Sequence, residues 1–270
     1  MKHQISFLFW RAAALLLIPY FAVIGFQGKE IALMNRIPKA EDCLPFILSE
    51  EIEADKEEET LKAQAVIART NLYRRIKEGE SLYDILKEQG KTRRTVEKVF
   101  IDAVKDTENI VLLWNGELKP VPYHEISSGK TRSGEEVFRD QEFTYLKSVD
   151  SNADRDSPDY LSSVYIEEGQ LPREFEIEER DSAGYVQSIE ADGNLLEGEG
   201  FRRGMRLSSA DFTVQKLNGK IRFLCRGKGH GLGFSQYGGN ELAKKGKTYQ
   251  EILFFYFPDL CIECIILETL

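Results

Sequence analysis

Residues 227–239 read GKGHGLGFSQYGG, and NELAKKGKTYQEIL carries the run on to Leu253. Six glycines stand at 227, 229, 231, 233, 238 and 239, with His230, Ser235, Gln236 and Tyr237 set among them. Glycine tolerates positive φ and lets another group come close to the backbone. That density, mixed with hydrogen-bonding side chains, fits a shaped polar site; a glycine-rich hairpin around a buried histidine is the plainer alternative. A Ser-His-Asp hydrolase fits poorly, because no nucleophile elbow G-x-S-x-G surrounds Ser235.

Working outward, the chain has 270 residues, 42% hydrophobic and 30% charged, enough for one large domain or two small ones with a sizeable core. A net charge of −9 argues against a nucleic-acid partner, which needs a basic face. The densest charge run, EEIEADKEEE at 50–59, reads mostly as a solvated acidic segment. At the N-terminus, Lys2, His3 and Arg11 precede 15 uncharged residues, Ala12–Phe26. A short apolar core with a basic flank suits an export signal. With no clear small-x-small cleavage site after it, an uncleaved signal-anchor over 1–28 is favoured above a cleaved peptide. A linker over 29–39 follows, and either reading puts the rest of the chain outside a membrane. Of the four cysteines, Cys43, Cys225, Cys261 and Cys264, the last two have the spacing of half a zinc site. No second pair accompanies them, and LCIECIIL is apolar and β-like, so small buried side chains in a last strand are expected, with no metal and no cofactor.

Helical spacing of apolar residues predicts helices over Glu41–Glu53, Glu57–Lys77 and Ser81–Gln89, with a helical or mixed stretch over Lys91–Lys105. Ile110–Trp114 and Leu118–Tyr123, separated by Asn115-Gly116, predict a hairpin. Residues 127–160 read as loop. Short strands are expected at Glu174–Ile177, Tyr185–Ile189, Phe212–Leu217 and Ile221–Cys225, with turns at Asp192-Gly193 and Asn218-Gly219. Helices at Asn240–Lys245 and Tyr249–Phe255 and a strand at Cys261–Leu267 complete the chain. Helices early and strands late give an α+β class: a small helical lobe, 40–105, packed on a mostly antiparallel β lobe, 106–270.

The glycine run resembles the C-terminal signature of the SpoIID/LytB family, the stage II sporulation protein D and amidase-enhancer proteins, which carry G-x-G-H-G-[VL]-G-[MF]-S-Q-Y-G. Three more blocks resemble the family in the same order. EDCLPFILSEE at 41–51 with LKAQAVIART at 61–70 is similar to its acid-bearing block. YHEISSGKTRSGEEVF at 123–138 with TYLKSVDS at 144–151 is similar to its second, and GEGFRRGMRLSSADFTV at 198–214 to its third. Together they cover most of residues 40–266.

The resemblance implies a domain over 40–270 that acts on peptidoglycan glycan strands, with Glu51, ten residues before Leu61, as the general acid/base of a lytic transglycosylase. One carboxyl suffices there, because it can protonate the glycosidic oxygen and then take a proton from the sugar's own C6 hydroxyl. Glu50 and Glu53 stand close by, and Glu53 replaces the proline usual in the family. Arg69 is implied to reach the groove, with a structural ion pair as its other role. His124 and Ser128 are implied to bind sugar hydroxyls, His124 alternatively being a capped loop histidine. His230, Ser235, Gln236 and Tyr237 are implied to form the far wall. The implied setting is a single-pass protein facing outward from the cell membrane in sporulation or wall remodelling. Partners would be glycan strands, a cell-wall amidase and other wall-remodelling membrane proteins. A non-catalytic amidase enhancer and a purely sugar-binding domain remain as alternatives.

Overall fold

The computed structural model describes residues 39–88, 95–172 and 174–265. The expected signal-anchor and most of the linker lie outside them. Among the described residues, no helix is long and apolar enough to cross a membrane. Leu44–Leu270 forms one compact unit and Met1–Cys43 the other, the latter described only from residue 39.

The fold is α+β, built from helices and four small sheets. Helices α1 (Ala40–Glu51), α2 (Glu58–Lys77), α3 (Leu82–Glu88) and α4 (Lys98–Asp106) come first. Strands β1 (Ile110–Leu113) and β2 (Tyr123–His124) follow, then the short helix α5 (Gly134–Phe138). Strands β3 (Leu161–Glu167), β4 (Phe175–Arg180), β5 (Val186–Ala191) and β6 (Asn194–Glu197) lead to helix α6 (Gly198–Gly204). Then come β7 (Phe212–Leu217), β8 (Lys220–Arg226), β9 (Phe234–Ser235), α7 (Gln236–Lys244), α8 (Tyr249–Tyr256) and β10 (Cys261–Cys264).

Helix α2 organises the first core. It is buried around most of its girth, from Thr60 and Leu61 to Leu72 and Tyr73, as a helix enclosed by other elements must be. Alanines 63, 65 and 68 keep its surface low, so α4, β1, α7 and α8 all pack against it. Ala63, Val66 and Ile67 meet Leu112, Val121, Tyr145, Phe234, Ile252 and Tyr256 in one cluster. The first helices therefore share their core with the last elements of the chain. Strand β1 pairs antiparallel with β10 along its whole length, which closes that circuit.

A second core lies between two antiparallel sheets, β3-β8-β7 and β4-β5-β6. Phe201, Phe212 and Phe223 form its aromatic centre, with Phe212 and Phe223 edge to face at 5.5 Å. Asn218 (φ 43°) and Gly219 (φ 84°) turn β7 into β8, and Asp192 (φ 48°) and Gly193 (φ 76°) turn β5 into β6. These are the positive dihedrals that two-residue hairpins require.

Several expectations are corrected. The turn at Asn115-Gly116 forms, but its hairpin stops after the single bridge Trp114–Glu117. Pro120 and Pro122 cannot donate to a ladder, so the returning strand does not develop and β1 takes β10 as its neighbour. Strand β3 was not anticipated: its burial alternates between exposed and half-buried, but the apolar Leu161 and Tyr165 lie on the exposed side, each 57% exposed, so LSSVYIE shows no apolar–polar alternation in sequence. Cys261 and Cys264 are exposed rather than buried, because β10 has a partner on one side only. The stretch expected as loop, 127–160, is in large part a packed connector. Its Arg132 is 2% exposed and forms a 2.5 Å ion pair with Asp181, whose side chain is fully enclosed just after β4.

Truncating the centre of the second core tests its weight. Phe223→Ala should lower unfolding free energy by about 3–5 kcal/mol, read by urea denaturation. A loss below ~1 kcal/mol would show that the aromatic cluster is peripheral.

Candidate functional site

Helix α1 ends on Glu51, and a groove of about 780 Å³ opens beside it. Glu50, Glu51 and Glu53 all face this space, as do Glu125, Lys228, Gln236 and Tyr237. The three neighbouring acids are held very differently. Glu53 is in solvent and bonds Lys56 at 3.2 Å. Glu50 has one carboxylate oxygen buried without a hydrogen-bond partner. The Glu51 carboxyl is fixed from two sides: Gln64 Nε2 donates to its Oε2 at 2.7 Å, and the Tyr123 hydroxyl is its second partner. Part of the Glu51 residue stays open to the groove while protein packs closely around the carboxyl. That desolvation raises its pKa to about 7, against the opposing pull of the hydrogen bonds from Gln64 and Tyr123. Burial, and then the negative charge of Glu51, raises the pKa of the Tyr123 phenol.

Gln236 brings the glycine-rich run to this acid. Its Nε2 donates to the Glu51 backbone carbonyl at 2.8 Å and to Gln64 Oε1 at 3.3 Å. Gln64 thus receives from Gln236 and gives to Glu51, which sets both amides in one orientation. Tyr237 stands on the same groove, its backbone N–H bonded to Glu125 O at 3.0 Å.

Local sequence explains the placement. Strand β2 pairs parallel with β9, Tyr123 opposite Phe234 and His124 opposite Ser235. The pairing brings Pro122 against residue 233, where φ is +69° and any Cβ would strike the Pro122 carbonyl, so only glycine fits. Ser235 then caps α7, accepting from Gly238 N at 3.3 Å. A Cβ at 238 would collide with the Ser151 and Tyr256 hydroxyls. Beneath the cap lies Asp154, wholly buried, accepting from Ser235 Oγ at 2.8 Å, from Ser127 N at 2.9 Å and from the Ser127 hydroxyl. Desolvation raises its pKa, and the hydrogen bonds oppose the rise.

The other anticipated residues sit behind the groove. Arg69 is a correction: it is wholly buried, with hydrogen bonds to Val104 O at 3.0 Å and to Thr107 Oγ1 and Ile110 O, each at 3.2 Å. Its guanidinium satisfies carbonyls between the end of α4 and the start of β1, so it is not on the groove wall. Ser128 and Ser235 are buried in the scaffold, the Ser128 N–H bonded to the Tyr185 hydroxyl at 3.0 Å. His124 is 4% exposed, its Nδ1 bonded to Leu232 O at 2.9 Å and its Nε2 without a partner. Burial, with His230 nearby, lowers its pKa to about 3. His230 lies 5.8 Å from it, ring to ring, its pKa lowered to about 4 chiefly by burial and then by Arg202 and Arg132. The sequence reading missed Gln64, Tyr123 and Asp154 as parts of this arrangement. A glutamine in a helix otherwise faced with alanine, and a tyrosine leading the YHEISS block, were the available signals. Among the described residues, no group of three or more His, Cys, Asp or Glu is set to hold a metal ion.

Comparison with known proteins follows the same residues. The sequence model of the stage II sporulation protein family, SpoIID, matches residues 27–114, which include α1 and α2. Stage II sporulation protein D of Bacillus subtilis (strain 168) is 28% identical over 255 residues, covering 83% of this chain and 74% of that protein. Its namesake in Bacillus amyloliquefaciens is 28% identical over 260 residues, 85% of this chain and 75% of its own. A 46-residue stretch, 17% of the chain, is 46% identical to 6% of the amidase enhancer of Bacillus subtilis (strain 168). The family's sequence model thus covers the acid-bearing helices, and two sporulation protein D relatives match along more than four-fifths of this chain, so the chain is similar to the SpoIID family.

Proposed function

We propose that this protein is a peptidoglycan lytic transglycosylase, acting outside the cell membrane during sporulation engulfment or related wall remodelling, with residues 1–28 as its anchor. The observation that carries this reading is the Glu51 carboxyl: buried, oriented by Gln64 and Tyr123, and half-protonated near pH 7. Such a group can give a proton at neutral pH and hold its place when ionised. In the reaction, Glu51 protonates the glycosidic oxygen as the bond to the muramoyl C1 breaks. Its carboxylate then removes the proton of the same sugar's C6 hydroxyl while that oxygen bonds C1. A 1,6-anhydro ring closes, Glu51 regains its proton, and no water is consumed. Gln236 and Tyr237 are proposed to orient the strand along the groove, since chemistry at C1 demands a fixed approach.

A second reading has one observation in its favour, the local match to an amidase enhancer. In it the groove binds glycan without cleaving it, and the protein stimulates a cell-wall amidase. Mass spectrometry of purified denuded glycan after incubation with the protein separates the two. Products ending in 1,6-anhydromuramic acid support the lytic reading; intact glycan, with a faster amidase when both are mixed, supports the enhancer.

Glu51→Gln should abolish release of anhydro products by at least ~100-fold, the usual scale of a general acid, with the melting temperature retained. Wild-type rates in that variant alongside loss in Glu50→Gln would move the acid by one residue.

The pH profile should carry one descending limb. Protonated Glu51 is the reactive form, so kcat/KM should hold below about pH 7 and fall tenfold per unit above it. His124 and His230 stay neutral down to about 3 and about 4, and add no limb between pH 5 and 8. The Tyr123 hydrogen bond favours the ionised carboxyl, so Tyr123→Phe should move the limb to higher pH. A limb that stays in place in that variant would remove Tyr123 from the acid's surroundings.

A further inference from the structure

Carboxylates dominate the groove beside Glu51. Glu50, Glu53, Asp55, Glu97, Glu125 and Asp159 line it together with the acid itself. Two lysines stand among them, and both are already engaged. Lys56 Nζ lies 2.6 Å from Asp55 and 3.2 Å from Glu53, and Lys228 is paired with Glu125. Among the described residues no arginine lines this space, so its negative charge is left in surplus. Glu50 carries a separate sign of a missing partner. One of its carboxylate oxygens is closed off from solvent and has no hydrogen-bond partner among the described residues. Such an oxygen is costly, and a donor entering from the groove relieves that cost once the carboxyl turns to meet it. Tyr237 contributes an aromatic ring to the same space, and aromatic faces attract cations.

We infer that the groove selects strand segments bearing a protonated primary amine, with Glu50 as the amine's acceptor. The inference rests on the lytic reading for its strand and deepens it by naming the substrate class. An ammonium supplies three donors and one positive charge, which a groove with a spare acceptor and surplus negative charge lacks. A cleft lined by one sign of charge also concentrates ligands of the other sign. An N-acetylated glucosaminyl unit is neutral and gains nothing from that field, and the lactyl carboxylate of a muramoyl unit is repelled by it. Removal of the acetyl group uncovers an amine at C2 of the sugar, and the side chain of a diamino acid in a stem peptide offers another. Both present the same ammonium to the same carboxylates.

The test is calorimetric titration of the full-length protein, at a pH just below neutral, with two matched pairs. Glucosamine tetramer is set against N-acetylglucosamine tetramer, and a lysine-bearing stem peptide against the same peptide acetylated at Nε. At least one amine-bearing member should bind about tenfold tighter than its acetylated counterpart, as one charge-assisted hydrogen bond warrants. The pair that shows the preference identifies the source of the amine. The preference should shrink in Glu50→Gln, whose folding is checked by its melting temperature, and should fade from low to high salt as charges are screened. If that variant does not fold, the salt series alone decides. No preference in either pair would overturn the inference, as would a preference unmoved by salt or retained in full by a folded Glu50→Gln. The lytic reading is scored separately, by 1,6-anhydro products from denuded glycan. Their release without any amine preference would leave the lytic reading standing and overturn this one; an amine preference without such products would do the reverse.

Discussion

One amide ties the candidate site together. Gln236 Nε2 reaches the Glu51 carbonyl at the end of α1 and the Gln64 side chain on α2, although about 180 positions separate it from both. Remove that bridge and Gln64 loses the contact that turns its own donor toward the Glu51 carboxyl. The bridge depends in turn on where α7 begins, and Asp154 fixes that point through Ser235 while holding Ser127 of the preceding connector. Buried polar networks of this sort act as a unit, because each group left without its partner is costly in a low-dielectric interior. The groove is the surface expression of that network, and the helices and small sheets serve to bring its members together.

The same arrangement explains how a carboxyl can be both firmly held and protonated. Two neutral donors, Gln64 and Tyr123, stabilise the ionised form, and close packing opposes ionisation more strongly, leaving a pKa of about 7. Had a lysine or arginine stood in place of either donor, the opposite charge would have held the acid ionised. Positive charge in this region is kept elsewhere. Lys56 is engaged by Glu53 and Asp55, Lys228 by Glu125, and Arg69 is sealed among carbonyls between the end of α4 and the start of β1.

Most helices were legible in the sequence because their apolar spacing is regular, and Asp192-Gly193 and Asn218-Gly219 declared their turns through residues that tolerate positive φ. The pairing of β1 with β10 was not legible. Nothing local says that a strand will ignore its own hairpin turn and join one 150 positions away, although Pro120 and Pro122 hinted that the near partner would fail. At the site, the glycine run signalled close backbone approach but not which side chains the approach would expose. Gln236 and Tyr237 open helix α7 and face the groove, while Ser235 and His124, paired across β9 and β2, are buried in the scaffold. Arg69 was misread because a buried arginine bonded to carbonyls leaves the same trace in a sequence as one that binds substrate.

The β1–β10 pairing has a temporal side. A ribosome releases the chain from its N-terminus, so β1 and α2 emerge long before β9, α7 and β10 exist. Until then α2 lacks the part of its cover that Phe234, Ile252 and Tyr256 supply, Glu51 has no bridge to Gln236, and β1 presents an unpaired edge. Contacts of such long sequence separation form slowly, because loop closure precedes the gain. A nascent or truncated chain therefore carries the acid without the wall that orients its surroundings. Assembly of the groove is the last act of folding, and a chain cut short at its C-terminus is not a partly working protein but an unassembled one.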